Sequence, residues 1–375
     1  MRTRVLTGLV LLLFVAVIAV LLAWPMRRPD KGDAPAAAEV AVEYVPPRCY
    51  VCYRAAGPIT VDGRPDEKAW QAAPWSEAFV DIEGDRKPAP RYRTRVKMLW
   101  DDDALYIAAE LEEPHVWATL TKHDSVIFHD NDFEVFLDPD GDSHLYGELE
   151  LNALNTTWDL LLPRPYKDGG RAIDAWEITG LRTAVHVDGT LNDPSDKDRG
   201  WTVEIAWPWR GLKELSERPV PPRDGDQWRI DFSRVEWDHE VIDGKYRKVP
   251  KRPEHNWVWS PQGVIDMHRP ETWGYLQFSA APPGTAAPRP DPAGPARAAL
   301  HRVYYAQRDY RKQHGEWAAS LTQLGLAGLA HPSLAGPPTL ATAGDYFEAG
   351  VTLRGESAPR RWRIRSDARV WGTDE

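Results

Sequence analysis

Two neighbouring segments of this 375-residue chain place acidic side chains at alternate positions. Apolar and polar residues alternate in 132–138 and again in 148–152, which predicts two strands. Acceptor side chains then share one face: Asp132, Glu134, Asp138, Glu148, Glu150 and Asn152. Carboxylate and amide oxygens accept hydrogen bonds from hydroxyl groups, so this face could bind a sugar. A solvated face of an antiparallel sheet shows the same alternation, and that interpretation stays open.

Glu134 and Glu150 could also form the carboxylate pair of a glycosidase. Binding demands less of these groups than catalysis, because a carboxylate that accepts a hydrogen bond needs no unusual pKa. The chain contains no G-x-S-x-G, P-loop, G-x-G-x-x-G or H-E-x-x-H motif. We therefore expect a non-catalytic binding site, with glycoside hydrolysis as the alternative.

Three further carboxylates, Asp138, Asp140 and Asp142, alternate through a Pro- and Gly-containing turn. Hard oxygen ligands at this spacing suit Ca²⁺. The turn is not an EF-hand, because Ser143 and Leu149 occupy the positions of its Gly and its bidentate Glu. A solvated acidic turn explains the same residues, so a structural Ca²⁺ site is one of two predictions here.

The net charge and the Trp content of the chain indicate which kinds of ligand it could bind. The net charge of −10 argues against nucleic acid, which requires a basic face. Trp occurs 18 times, and its flat apolar face with an N–H donor suits recognition surfaces as well as cores. The only cysteines, Cys49 and Cys52, lie in a predicted strand, so we expect a local disulfide or two structural thiols rather than redox catalysis.

A charge-free run from Val5 to Trp24 is long enough to cross a bilayer as one helix. We predict a signal anchor or transmembrane helix at residues 1–26, followed by a linker at 27–43. The part of the chain that follows this linker, which we call the body, would then be exported and anchored to the membrane at the cell envelope.

Many short strands separated by turn signals predict an all-β fold, an antiparallel β-sandwich, over residues 44–279. Further strands are predicted at 59–61, 93–100, 105–111, 157–162, 176–178, 182–187, 201–207, 227–237, 257–259 and 273–278. A Pro/Ala-rich linker follows at 280–298. Residues 299–375 form a small α+β appendage, with a helix at 300–315 and strands at 347–353, 361–364 and 369–371.

Five blocks of sequence together resemble family 9 carbohydrate-binding modules, and more closely the exported, free-standing bacterial proteins of that type. The blocks are Ile59–Trp70, Val96–Tyr106, Asn131–Asp138, Trp201–Pro208 and Pro270–Leu276. The resemblance covers residues 44–279. It implies a β-sandwich that binds sugars, with structural Ca²⁺ in characterised members.

In that family two aromatic rings clamp a terminal sugar, and polar side chains assist them. By position, the resemblance implies binding roles for Glu134 and Asn152, and for Phe128 in place of one clamping Trp. The chain departs from the family at Met267, where the second Trp is expected, and at Glu150, where an Arg is expected. Our own inference adds four residues that could build a different site: Arg234, Trp237, Trp259 and His268.

The sequence therefore predicts a carbohydrate-binding protein that supports carbohydrate catabolism, with carbohydrate and membrane as its partners. Related sandwiches elsewhere carry b-type haem, so an electron-transfer domain is a further alternative. Met267, His268 or His123 would then be axial ligands.

Overall fold

Short β-strands make up most of the fold, as the alternating segments predict. The computed structural model describes residues 39–355 and 361–373. The strands up to Ser279 are β1 (Val40–Ala41), β2 (Cys49–Arg54), β3 (Val80–Asp81), β4 (Thr94–Trp100), β5 (Ala104–Glu112), β6 (Asp132–Asp138), β7 (Tyr146–Asn152), β8 (Thr157–Leu162), β9 (Arg182–Asp188), β10 (Gly200–Pro208), β11 (Gln227–Glu236), β12 (His239–Ile242), β13 (Lys245–Lys248), β14 (His255–Val258) and β15 (Gly274–Ser279). The C-terminal strands are β16 (Leu329–Ala330), β17 (Thr339–Ala343), β18 (Tyr346–Thr352), β19 (Arg361–Arg365) and β20 (Val370–Thr373). The α-helices are α1 (Lys68–Gln71) and α2 (Gly294–His314).

Twelve strands form one continuous sheet. Its main path runs β8-β7-β6-β11-β15-β2-β4-β5-β10-β9, while β14 pairs with β11, and β3 with β14. Pairing is antiparallel except at β2, which runs parallel to both β15 and β4. The prediction of an antiparallel sheet is thus confirmed apart from β2, which lies between β15 and β4.

The sheet curls over so that its two ends enclose a single core. Val135 and Leu149 from one end pack in the same cluster as Ile107 and Val203 from the other. Large aromatic side chains, including Trp228, fill the space between them. Burial of this apolar area is the main favourable term in folding, and the resulting arrangement is that of a β-sandwich.

Two predicted strands are wrong, and side chains bind several of the backbone N–H groups in and beside them. Residues 59–61 form no strand, and the N–H groups of Asp62 and Gly63 that follow donate to the Glu204 carboxylate. Residues 176–178 likewise form no strand, and the N–H of Ile178 donates to Asp159 at 2.6 Å.

Both cysteines are free thiols on β2, so the disulfide alternative is wrong. Residues three apart in a strand point to opposite faces, which separates Cys49 from Cys52. Burial raises the pKa of Cys49 to about 11 and also raises that of the fully buried Cys52. These thiols therefore serve packing rather than redox chemistry.

The C-terminal segment packs α2 against an antiparallel sheet of order β17-β18-β19-β20 around a core of its own. The helix begins at Gly294, inside the stretch predicted as a linker, because Pro295 is tolerated in a first helical turn, where its N–H is not needed. Val40 pairs with Leu329 and Val42 is buried in the same core, so the end of the predicted 27–43 linker also joins this unit.

Residues 1–26, for which an anchor helix is predicted, lie outside the described residues. Within 39–355 and 361–373, no helix is both long and apolar enough to span a bilayer.

Candidate functional site

The register of β6 and β7 brings the predicted acidic residues together. Glu134 lies directly opposite Glu150, and Asp132 lies opposite Asn152, while Glu148 lies two residues before Glu150 on β7. The intervening residues of both strands enter the core, so alternation turns these side chains to the outer face of the sheet. The two strands thus form one acidic wall.

A pocket of about 240 Å³ lies against this wall. Four glutamates line it, namely Glu134, Glu148 and Glu150 of the wall, and Glu254. Its aromatic lining consists of Phe128, Phe136, Trp158 and Tyr166. The loop 265–268 contributes Ile265, Asp266, Met267 and His268. The pocket therefore combines hydrogen-bond acceptors with flat apolar surfaces.

Burial disfavours the ionised form of these carboxyl groups and so raises their pKa values. Loss of hydration raises the pKa of Glu134 to about 7. It also raises the pKa of Glu148 and Glu150 well above the ordinary range, and the charge of Glu134 adds to both shifts. Asp132, which is fully buried behind them, is shifted in the same direction for the same reasons.

Some oxygens of this cluster are bonded and others are free to accept. Glu150 Oε2 accepts from the Phe128 N–H at 2.9 Å, and Asp132 Oδ1 accepts from the Val235 N–H at 3.0 Å. Glu148 Oε2 and Asp132 Oδ2 are buried without a hydrogen-bond partner among the described residues. A buried acceptor left unpaired is costly, so the Oε2 atom of Glu148, which lines the pocket, is where a donor from a ligand would be stabilising.

His268 contributes a neutral ring to the pocket. Its Nδ1 lies 2.8 Å from the Tyr146 hydroxyl, and its ring meets Tyr166 edge to face with centroids 4.4 Å apart. Burial, together with the nearby charge of Lys167, lowers the pKa of His268 to about 3. The imidazole is therefore uncharged at neutral pH.

Four of the eight predicted binding residues line the pocket, and the other four do not. Phe128, Glu134, Glu150 and His268 line the pocket together. Asn152 lies behind the wall, where its buried amide donates to the Leu120 carbonyl and to Asp130. Trp237 supports the pocket from outside, since its indole N–H donates to the Phe128 carbonyl at 2.9 Å.

Arg234 and Trp259 lie away from the pocket, which corrects the prediction that they help to build it. Ser233 pairs with Glu134 across β6 and β11, so Arg234, the next residue, points to the opposite face. There it forms buried ion pairs with Glu113 at 2.7 Å and Glu236 at 2.8 Å. Trp259 has no exposed surface and packs in the core.

The predicted set omits several lining residues, among them Phe136, Glu148, Trp158 and Tyr166. Alternation already places Phe136 and Glu148 on the acidic face, so the sequence carried a signal for both. Trp158 faces the pocket because it pairs with Glu150 across β7 and β8, a register that no local pattern shows. Tyr166 belongs to the 3₁₀ turn Tyr166–Asp168, which no local pattern of residues predicts.

The predicted Ca²⁺ turn brings oxygens of Asp138, Asp140 and Asp142 within 4.8 Å of one another. All six carboxylate oxygens already accept hydrogen bonds, from backbone N–H groups of the turn, from Ser216 and from Arg369. The Arg369 guanidinium supplies a positive charge 2.7 Å from Asp142. These residues fit a hydrogen-bonded turn better than a Ca²⁺ shell, and Ca²⁺ here stays a prediction.

The three candidate haem ligands are not brought together. Met267 and His268 line the pocket, whereas His123 does not. The His123 ring lies 2.9 Å from the Thr157 carbonyl and 3.2 Å from Glu177 instead. The haem alternative therefore stays a prediction, with Met267 and His268 adjacent in one loop of the pocket and His123 outside it.

Fold and pocket together define a class, a β-sandwich binding module with a candidate pocket on a sheet face between acidic and aromatic side chains. The sequence profile of the family described as "Carbohydrate family 9 binding domain-like" matches residues 61–257, more than half of the chain. The chain belongs to this family, and the resemblance found in its sequence blocks is confirmed. No curated protein matches it.

Solved structures of similar proteins include a family 9 carbohydrate-binding module from Caldicellulosiruptor kristjanssonii in complex with cellotriose. That chain is 16% identical, with a TM-score of 0.41 over 65% of this chain and 100% of its own. Its complex with glucose gives 17% identity and a TM-score of 0.40 over 64% and 98%. A putative carbohydrate-binding protein from Bacteroides uniformis gives 14% identity and a TM-score of 0.46 over 62% and 100%.

Proposed function

We propose that this protein is a non-catalytic carbohydrate-binding protein and that its sugar occupies the pocket beside β6, β7 and β8. The observation that carries the proposal is the meeting of Glu134 and Glu150 with Phe128 and Trp158 in one pocket. A sugar ring presents apolar C–H faces and a rim of hydroxyl groups. Aromatic rings pack against the former, and buried acceptors bind the latter.

The size of the pocket favours a small ligand. Its volume of about 240 Å³ lies slightly below the range typical of drug-sized molecules. One sugar residue fits such a space, either as a monosaccharide or as the end of a longer chain. This agrees with a family that is described by carbohydrate binding.

The arrangement of the carboxylates supports binding rather than hydrolysis. Glu134 and Glu150 lie side by side on paired strands, with oxygens within 4.8 Å of each other. A glycosidase needs its two carboxyl groups on either side of the scissile bond. Neighbours on one wall instead contact the same edge of a ligand, and reducing-sugar release that Glu134→Gln abolishes would contradict this proposal.

The proposal places the body at the cell envelope, held by residues 1–26 and supporting carbohydrate catabolism. Its support is the charge-free run from Val5 to Trp24 in the sequence. Membrane fractionation followed by protease treatment of spheroplasts tests this placement. Digestion of the body in intact spheroplasts is expected, and protection of the body would contradict export.

Affinity electrophoresis and a glycan array test the binding itself. Trp158→Ala removes an aromatic face from the pocket and is expected to weaken binding about tenfold, since such a contact contributes roughly 1 kcal/mol beyond its buried area. Tyr346→Ala, an exposed aromatic on the C-terminal sheet, is the matched control and should bind normally. Failure of the wild-type protein to bind any glycan would overturn the proposal, as would equal binding by Trp158→Ala.

A further inference from the structure

The pocket holds more carboxyl groups than a neutral sugar requires. Besides the three glutamates of the wall, Glu254 and Asp266 line it. No lysine or arginine is among the described residues that line it, and none in the described part of the chain forms an ion pair with Asp132, Glu134, Glu148 or Glu150. Four neighbouring carboxyl groups thus lie in a desolvated place without an ion-pair partner among the described residues, although Lys248 acts on Asp132 and Glu254 from a longer distance.

These carboxylates are also nearly inaccessible to water. Asp132, Glu134, Glu148 and Glu150 have relative exposures of 0%, 5%, 4% and 2%. Desolvation and mutual repulsion disfavour their charged forms, as the raised pKa values of the cluster show. A positively charged ligand would reduce this penalty, and the unpartnered Oε2 of Glu148, which lines the pocket, would accept a hydrogen bond from it.

We infer that the pocket selects sugars that carry a free, protonated amino group. An ammonium group offers three N–H donors, which the acidic wall can accept. The sugar ring that carries it packs against Trp158 and Phe128, whose π faces also attract positive charge. This inference rests on the proposed function, and it names the class of sugar that the same pocket takes.

A bare metal ion is the competing occupant, because Asp132, Glu134 and Glu150 present oxygens within 4.8 Å of one another. Ca²⁺ requires about 6–8 oxygen ligands around it. Beyond the acidic wall, the pocket offers mainly aromatic and aliphatic groups, among them Phe128, Trp158 and Ile265. That lining solvates an organic cation better than a metal ion.

Calorimetric titration of the full chain with three probes at neutral pH tests the inference. Glucosamine carries the ammonium group, glucose lacks it, and N-acetylglucosamine replaces it with an uncharged amide. Glucosamine is expected to bind at least about tenfold more tightly than either of the others, because hydrogen bonds to charged groups exceed neutral ones by roughly that factor. Equal affinity for the three sugars overturns the inference and leaves the proposed function standing, whereas no sugar binding at all overturns both.

Glu148→Gln keeps the shape of the wall and removes one charge. It should weaken glucosamine binding about tenfold more than it weakens glucose binding, and a cooperative urea unfolding transition like that of the wild type shows that the variant is folded. Glu240→Gln, an exposed glutamate on β12, is the control and should behave as wild type. A titration of EDTA-treated protein with CaCl₂ completes the test: Ca²⁺ binding that Glu148→Gln abolishes, without any preference for glucosamine, would assign the cluster to a metal.

Discussion

At the scale of single residues, Glu134 is the centre of the acidic cluster. Its charge contributes to the raised pKa of Asp132, Glu148 and Glu150, and burial raises its own pKa to about 7. A carboxyl group whose folded pKa exceeds its unfolded value stabilises the folded state at low pH. That contribution is lost as the pH rises through the folded pKa.

The ligand-free protein should therefore lose stability from about pH 4 to above pH 7, since the unfolded glutamate ionises near pH 4. Glu134→Gln removes this loss and should be more stable than wild type at pH 8, by an amount on the order of 3 kcal/mol. The two proteins should converge at pH 4. Urea unfolding at both pH values, with Glu240→Gln as control, measures the difference. A variant less stable than wild type at pH 8 would show that the charged Glu134 is stabilised in the folded state.

At the scale of elements, a single carboxylate binds several backbone and side-chain groups of the family block Ile59–Trp70. Glu204 on β10 accepts N–H donors from Asp62 at 3.1 Å, from Gly63 at 2.9 Å and from the Trp70 indole at 2.8 Å. Gly63 has a φ of +89°, and a Cβ there would lie 2.6 Å from the Val185 carbonyl carbon. The segment from Asp62 to Trp70 is thus a structural brace on the face of the sheet opposite the core.

Glu204→Gln should destabilise the fold by about 1–3 kcal/mol, because an amide cannot accept all three donors with its single oxygen. Sugar binding should be unchanged, since Glu204 does not line the pocket. Urea unfolding and affinity electrophoresis on the same samples separate the two effects. An unchanged unfolding midpoint, or a large loss of binding, would contradict the bracing role.

Local alternation was sufficient to predict the acidic wall but not the rest of the pocket. The bounds of β6 and β8 and the faces of β6 and β7 follow from period-two patterning alone. The same alternation predicts that Arg234 points away from the pocket, because it lies on the same face of β11 as the buried Ile230 and Phe232. Tyr166 could not be predicted, since its place depends on a turn held by distant residues rather than on local pattern.

At the scale of the whole molecule, the C-terminal helix α2 holds the turn that carries Tyr166. Tyr304 and Arg308 of α2 donate hydrogen bonds to Asp168 in that turn, and the distance from Arg308 is 2.6 Å. Tyr305 donates to Glu271 in the segment that follows His268. Both segments thus contact a helix that lies outside the family match, and we expect this contact to hold the lining residues Tyr166 and His268 in place.

Arg308→Ala removes the ion pair and the hydrogen bond to the Lys167 carbonyl, so the turn should lose its fixed position. We expect sugar affinity to fall about fivefold, which corresponds to about 1 kcal/mol for a partly exposed pair. Arg311→Ala is the matched control on the same helix, because its partner Asp345 belongs to the C-terminal unit. Titration with the best-bound glycan and thermal unfolding should be measured together. Equal affinity of both variants, with Arg308→Ala merely less stable, would show that α2 stabilises the fold without positioning the pocket.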